Sequence, residues 1–298
     1  MTAPSLSRRS LPWSRPRSGR PEIKVAGRGD LPEAAAFAEA AGANGVLVGA
    51  RITDKMTHRH IPGDVITLQV DGRLRGVCWC GGTLMPVGFP DSDVSTLADF
   101  TKQRSSGCTS VVGESRIVLP LWEALAPSWP KPRAIRDDQA LFQITSPPAI
   151  VGDPRVRPAN PDEIDAILPA SVAMFTEELG FSPPGAPISY RGRVSDLIRR
   201  GCTYVRMGPT PTARHGVQFK ADLGAAHANI AQIHGVWTHP GLRGRGLATA
   251  GMATVVADAL TRGYTAISLY VNSFNAPALA AYHRVGFQRI GTWSTILF

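Results

Sequence analysis

Residues 238–252, THPGLRGRGLATAGM, place four glycines and two arginines between an apolar run, Ile230–Trp237, and a small-residue stretch that reads as helix. A strand that enters a helix through bare backbone makes a place for an anion. The first N–H groups of a helix have no partner within it, that end carries a partial positive charge, and glycine lets a ligand approach the main chain closely. Two phosphate-binding patterns are excluded. No Gly-Lys-Ser/Thr follows, as a P-loop requires, and Gly244-x-Gly246 leads to Thr249 where a dinucleotide fingerprint needs a third Gly or Ala. The earlier Gly27-x-Gly29 runs on to Pro32 and fails in the same way.

The chain beyond the loop narrows the reading. Ala266–Val271 alternates apolar and polar residues, as a half-buried strand does. Asn275 then stands before a helix with Pro277 in its first turn, a common entry signal. Asn275 and Tyr282 are seven residues apart, two helical turns, and so share one face.

The loop reads Arg243-x-x-Gly246-x-Ala248, and the later run NAPALAAYHRVGF holds Asn275, Ala278, Tyr282, Gly286 and Phe287. At this separation the two motifs resemble the pyrophosphate loop and the following helix of the GCN5-related N-acetyltransferases (GNAT family). The likeness covers residues 25 to 298 and points to bacterial two-domain proteins with an uncharacterised domain ahead of the GNAT domain. It is carried by LFQITSPPAIVGDPRVRPANPDEIDAILPASVAMFTEELGFSP and YRGRVSDLIRRG, and in the front half by GANGVLVGARI, GGTLMPVG and CTSVVGESRIVLPLWEAL.

The resemblance implies an α/β fold with a mixed sheet, here a tandem acyl-CoA N-acyltransferase-like (GNAT) fold whose N-terminal copy is degenerate. It implies transfer of acetyl from acetyl-CoA, a cosubstrate, to a primary amine by direct attack on the thioester, with no metal. The main chain of Val236, Trp237 and Thr238 is expected to pair with the pantetheine arm, and one of its N–H groups to steady the oxyanion. The segment Arg243, Gly244, Arg245, Gly246, Leu247 and Ala248 is expected to hold the pyrophosphate, with Asn275 and Ala278 also on the cofactor. Tyr282 is the expected general acid. Many relatives carry Glu where this chain has Gln232, which takes no proton. His234, two residues on and on the same face, is the candidate base, or else a polar residue bonded within the sheet. Glu177 and Glu178 fall in the expected loop beside the acceptor, where acids attract a cationic amine. Trp237 and Trp293 read equally as core or as substrate walls.

Charge supports this division. Residues 1–24 carry six Lys/Arg and one acid, 25–149 twelve and thirteen, and 150–298 fourteen and nine. The basic excess sits in a tail read as disordered and in the domain expected to hold the anionic CoA. The bias to arginine, with five lysines among the 32 basic residues, suits a GC-rich bacterial genome. Neither a signal peptide nor a membrane-length apolar run is present, and no aromatic-basic interleaving or helix-turn-helix pattern points to nucleic acid. Cys78, Cys80, Cys108 and Cys202 make no zinc or disulfide framework and read as free thiols in a reducing cytoplasm. The oligomeric state is open. The rival to an enzyme is a non-catalytic acyl-CoA sensor, because the front copy lacks the loop motif.

Three regions are expected: a tail over 1–24, a degenerate copy over 25–148 and the catalytic domain over 149–298, joined by a linker around Pro147, Pro148, Gly152 and Pro154. The front copy reads as helix 31–41, strands 44–51, 65–70 and 73–80, helix 93–104, strand 108–112, helix 116–126 and strand 139–145. Asp30 is read as a helix N-cap, and His58 and His60 as surface residues. The rear copy reads as strand 156–158, helices 162–175 and 190–200, strands 202–207, 217–223 and 229–238, helix 248–262, strand 265–271, helix 276–285 and a closing pair of strands.

Overall fold

The computed structural model describes residues 21–58, 61–104, 107–180 and 187–298. The tail reading for 1–20 and that of His60 lie outside the described residues, while Glu22–Val25, of which the expected tail included the first three, form a strand. In chain order the front elements are β1 (Glu22–Val25), α1 (Leu31–Ala40), α2 (Val46–Thr57), β2 (Asp64–Val70), β3 (Arg73–Cys80), β4 (Thr83–Val87), α3 (Val94–Thr101), β5 (Ser110–Glu114), α4 (Ser115–Leu125) and β6 (Ala134–Ile144). The rear elements are β7 (Val156–Pro158), α5 (Ile164–Leu179), α6 (Pro187–Arg199), β8 (Thr203–Thr210), β9 (Ala213–His227), β10 (Ile230–Thr238), α7 (Leu247–Thr261), β11 (Ala266–Asn272), α8 (Ala276–Val285) and β12 (Gln288–Leu297).

Four expectations change. Residues 44–51, rich in valine, begin a helix rather than a strand. As a helix, α2 lays Val46, Gly49 and Ile52 along one buried stripe, and tertiary packing overrides β propensity. Gly49 lets the ring of His227 approach so closely that a Cβ would lie 2.1 Å from it. The strand β4, which contains Pro86, is not among the expected elements. Its parallel rungs with β5 stop at Leu84↔Val111, before a proline N–H would be needed on that side. The expected closing pair of strands is one long strand, β12, with two register breaks against β6. Asp30 directs its carboxylate back to the N–H of Gly27, at 2.8 Å, and leaves the first amides of α1 uncapped.

Among the described residues twelve strands form one sheet, ordered β1-β2-β3-β4-β5-β12-β6-β11-β10-β9-β8-β7. The two copies trade strands. The last strand of the chain, β12, lies between β5 and β6 of the front half, while β6 pairs with β11 of the rear half over Ile144↔Ile267 to Gln139↔Asn272. The segment expected to link two domains is itself packed: Ala149 N–H donates to Val285 O, and Asp153 N–H to Ala250 O.

The rear sheet is covered on both faces. On one, α7 presents Met252, Val255, Val256 and Ala259, the i, i+3, i+4, i+7 stripe of a core-facing helix, all fully buried against Phe219, Ala221, Ala231 and Ile233. Each valine so buried contributes about 1.5–3 kcal/mol. On the other face, α5 and α6 pack Ile167, Val194 and Ile198 over Val205, Val217 and Trp237.

Candidate functional site

Alternation along β10 sends Ala231 and Ile233 toward α7 and leaves Gln232 and His234 on the α5/α6 face. The register with β9 then slips. His234 faces Asp222 and Trp237 faces Lys220, so Gly235 and Val236 together oppose Ala221. This is a β-bulge, with Gly235 in the left-handed region at φ +58°. The extra residue inverts the alternation and swings Trp237 onto the α5/α6 face, where it is buried. Trp293 is also core, its indole N–H 2.7 Å from Asn44 Oδ1.

On its other edge, β10 pairs in parallel with β11 for only three rungs, Ile230↔Ala266 to Gln232↔Ser268. Beyond them the strands part. Val236, Trp237 and Thr238, which pair toward β9 at Trp237 and Thr238, present their other edge to this fork. The three residues expected to take an added strand thus lie where the sheet has room for one.

The glycine loop closes one end of the fork. Gly244 and Gly246 both stand at φ +76°, and a Cβ at either would meet nothing within 4 Å. The chain needs glycine there for the backbone angle, and the space above both positions is open. Gly246 is the N-cap of α7 and offers no side-chain acceptor; the first bond runs from Ala250 N–H to Gly246 O, so the amides of Leu247, Ala248 and Thr249 are free of the helix ladder. Arg245 is exposed and, among the described residues, has no acidic partner. Unused amides, a helix N-terminus and a free cation fit a pyrophosphate.

Arg243 is engaged. Its Nε donates to Thr238 O at 3.2 Å, and its guanidinium pairs with Glu177, whose other oxygen accepts from Trp237 Nε1 at 3.2 Å. Glu177 and Glu178 therefore do not stand in a loop: α5 runs on to Leu179 and carries both in its last turn, because Gly180 at φ +79° ends it. Glu178 pairs with Arg136 of β6 at 3.5 Å. Both acids expected to draw a cationic amine are answered by arginines, one of them from the front half.

On the fork's far side, Asn275 Oδ1 accepts from Ala278 N–H at 3.3 Å and caps α8. Ala278 packs beside it at the edge of the core, and Gly286 at φ +112° closes the helix. Two turns in from the cap, Tyr282 is buried, its ring edge-on to Phe287 and to Phe142 of β6 at centroid distances of 6.0 and 6.4 Å. Burial pushes its phenol well above the ordinary value, with the charge of Glu178 acting in the same direction.

His234 is held within the sheet. Its Nε2 lies 2.9 Å from Gln232 Oε1, which only accepts, so Nε2 carries the proton. Its Nδ1 faces Gly224 of β9, where a Cβ would lie 2.3 Å away. Burial, then the charges of Arg193 and Arg51, lower the imidazole to about 4 against the opposing effect of Asp222. Sequence reasoning missed the pair beneath the bulge, Lys220 and Asp222, although a lysine amid the apolar run VQFKADL was its visible signal. Among the described residues no cluster of His, Cys, Asp or Glu could hold a metal.

A mixed sheet forked between two parallel strands, with a glycine loop at a helix N-terminus beside the fork, defines an acyl-CoA acyltransferase fold. Residues 203–287 match the model of the acetyltransferase (GNAT) family, and residues 63–167 match a domain of unknown function, DUF4081. The GNAT-family match thus falls within the rear half, from β8 to the end of α8. A GCN5-related N-acetyltransferase from Sphaerobacter thermophilus superposes with a TM-score of 0.62 at 17% identity, over 93% of this chain and 95% of that one. A GNAT-family acetyltransferase from Colwellia psychrerythraea gives 0.56 at 15%, over 93% and 99%. A tandem GNAT protein from the clavulanic acid biosynthesis pathway gives 0.53 at 13%, over 93% and 98%. Identities this low establish the shared fold, and the last relative shares the tandem arrangement. No curated protein matches at the sequence level.

Proposed function

We propose that this protein is an acetyl-CoA-dependent N-acetyltransferase acting on a primary amine of a small molecule or a protein, with its site in residues 149–298. The observation that carries the proposal is the fork with free α7 amides at its mouth. Arg245 and the amides of Leu247 and Ala248 hold the pyrophosphate, and Gly244 and Gly246 make room for it. Arg243 steadies the end of β10 through Thr238, while the open edge of Val236, Trp237 and Thr238 takes the pantetheine arm. Asn275 and Ala278 shape the start of α8 beside it. When bound, acetyl-CoA supplies an activated acyl group.

Tyr282 keeps its proton throughout the physiological range, as a donor to a departing thiolate must. The amine has to lose a proton before it attacks. An imidazole lowered to about 4 is a poor base at neutral pH, so in this reading water takes that proton and His234 keeps its place in the sheet. Glu177 and Glu178 border the acceptor side as members of ion pairs. The four free cysteines suit the cytoplasm, which we take as the working compartment. No helix among the described residues is long and apolar enough to cross a membrane.

Mass spectrometry of ligand co-purified with the protein, followed by an amine and peptide panel read by thiol release, tests the proposal. CoA bound together with thiol release on at least one amine is expected. Stoichiometric CoA binding without turnover would favour the acyl-CoA sensor instead, a reading that draws on the disabled front copy.

A further inference from the structure

Alternation puts Lys220 and Asp222 on the same face of β9, pointing away from the apolar core under α7. Lys220 is fully buried. Its Nζ lies 2.6 Å from Asp222 Oδ2 and 3.1 Å from the carbonyl oxygen of Gly235, and Asp222 Oδ1 accepts from Thr203 Oγ1 at 2.9 Å. Each polar side-chain atom of this small network therefore has at least one partner. Fold stability alone does not call for it, since a buried ion pair is commonly no better than two apolar side chains of similar volume. Its position is what distinguishes it. The network sits under the bulge, so close that a Cβ on Gly235 would lie 2.8 Å from Asp222 Oδ2 and 3.3 Å from Lys220 Nζ.

A trans peptide is planar, with its C=O and N–H pointing in opposite directions. Holding Gly235 O toward the β9 side turns the N–H of Val236 away from β9, toward the strand edge that the fork leaves open. We propose that Lys220 and Asp222 are positioning residues of acyl transfer: they clamp the Gly235–Val236 peptide plane so that the Val236 N–H is presented to the acyl carbonyl oxygen in the fork. The inference rests on the acyltransfer reading above. Neither side chain reaches the fork, and both act through one peptide group. A preorganised main-chain donor of this kind is worth about 10²–10³-fold in kcat. A lysine whose ammonium bonds the carbonyl of the bulge glycine is suited to hold it.

The test compares wild type with the double variant Lys220→Met/Asp222→Leu, which removes both charges and leaves neither unpaired. The clamp predicts a folded variant with an acetyl-CoA Kd changed less than about threefold because the phosphate contacts are untouched, and kcat lowered about 10²-fold. Amide hydrogen exchange across residues 235–238 should also quicken, a readout that needs no turnover. Wild-type kcat, or unchanged exchange, in a folded double variant would overturn the clamp. If that variant does not fold, Thr203→Val, which removes one bond to Asp222 and keeps the ion pair, reads the same device. A severalfold drop in kcat supports it and full activity overturns it. Absence of wild-type turnover on every amine would show before any variant is made, and it would sink the enzyme reading itself.

Discussion

The two copies fork in the same way and end differently. In the front half β4 and β5 pair in parallel over Thr83↔Ser110 and Leu84↔Val111, and in the rear half β10 and β11 do so over three rungs before separating. After β10 come Gly244 and Gly246 with exposed arginines and free amides. After β4 come Gly88, Pro90 and then Asp91 and Asp93 in the turn that enters α3, so two carboxylates stand where a phosphate would need positive charge. The guanidinium of Arg116 fills that corner, 3.1 Å from Phe89 O, 3.1 Å from Glu114 and 3.5 Å from Asp91. The repeated fold does not repeat the glycine loop. Neither α3 nor α7 has a side-chain cap, and what separates the two N-termini is local charge, acidic before α3 and basic before α7.

The largest effect should come from breaking the rear loop. Gly246→Glu forces a side chain into a left-handed backbone and adds a negative charge where the phosphate sits, so calorimetry should find no acetyl-CoA binding in a folded variant. Unchanged affinity would overturn the loop assignment. Wild type should bind one CoA per chain, and Asp91→Asn/Asp93→Asn should leave that at one, because Arg116 keeps its bond to Phe89 O. A second equivalent would show that the front copy has kept a site. The strand exchange means this has to be measured on the whole chain: residues 25–149 alone would lack β12, and 149–298 alone would lack β6.

Next in size is Tyr282→Phe. The ring contacts with Phe142 and Phe287 persist, so stability and acetyl-CoA affinity should hold while kcat drops about 10²-fold. Single-turnover transfer at the wild-type rate would remove Tyr282 as the acid.

The imidazole of His234 supplies a pH test. Its folded value lies near 4, below the ordinary 6.5, so between about pH 6.5 and 4 the unfolded chain binds the extra proton. The stability His234 contributes is complete above pH 6.5 and is lost as pH falls through that window, by roughly 3 kcal/mol in all. His234→Gln should flatten the fall in unfolding midpoint across the window and lower kcat less than about tenfold. A larger kcat loss that tracks a group titrating near neutrality would restore His234 as the base.

The smallest effects concern the acids of α5. Glu177→Gln frees Arg243 and should shift acetyl-CoA affinity by under about 1 kcal/mol, the scale of an exposed pair, while Glu178→Gln should leave it unchanged. If instead the two acids recognise a cationic amine, the double change raises the amine KM alone.

Local chemistry made much of the rear copy legible. Glycines at positive φ, an N-cap at Asn275 and the seven-residue spacing to Tyr282 act within a few residues of one another, and the structure places them as the spacing implied. The α2 helix was misread because a valine run is ambiguous until its buried stripe has a sheet to meet. The partners of Glu177 and Glu178 lie 66 and 42 residues away in the chain, so no window of sequence contained them.

By itself, then, the sequence determined a glycine loop at a helix N-terminus and a capped helix carrying a tyrosine, because helix ends, turn angles and side-chain periodicity are properties of neighbouring residues. Tertiary structure alone decided that β6 and β12 change places, that Phe142 of the front half packs on Tyr282, and that Lys220 lies beneath Gly235. Those outcomes turn on which strand edges and buried charges meet, and that is settled only when distant segments compete for the same partners in one sheet.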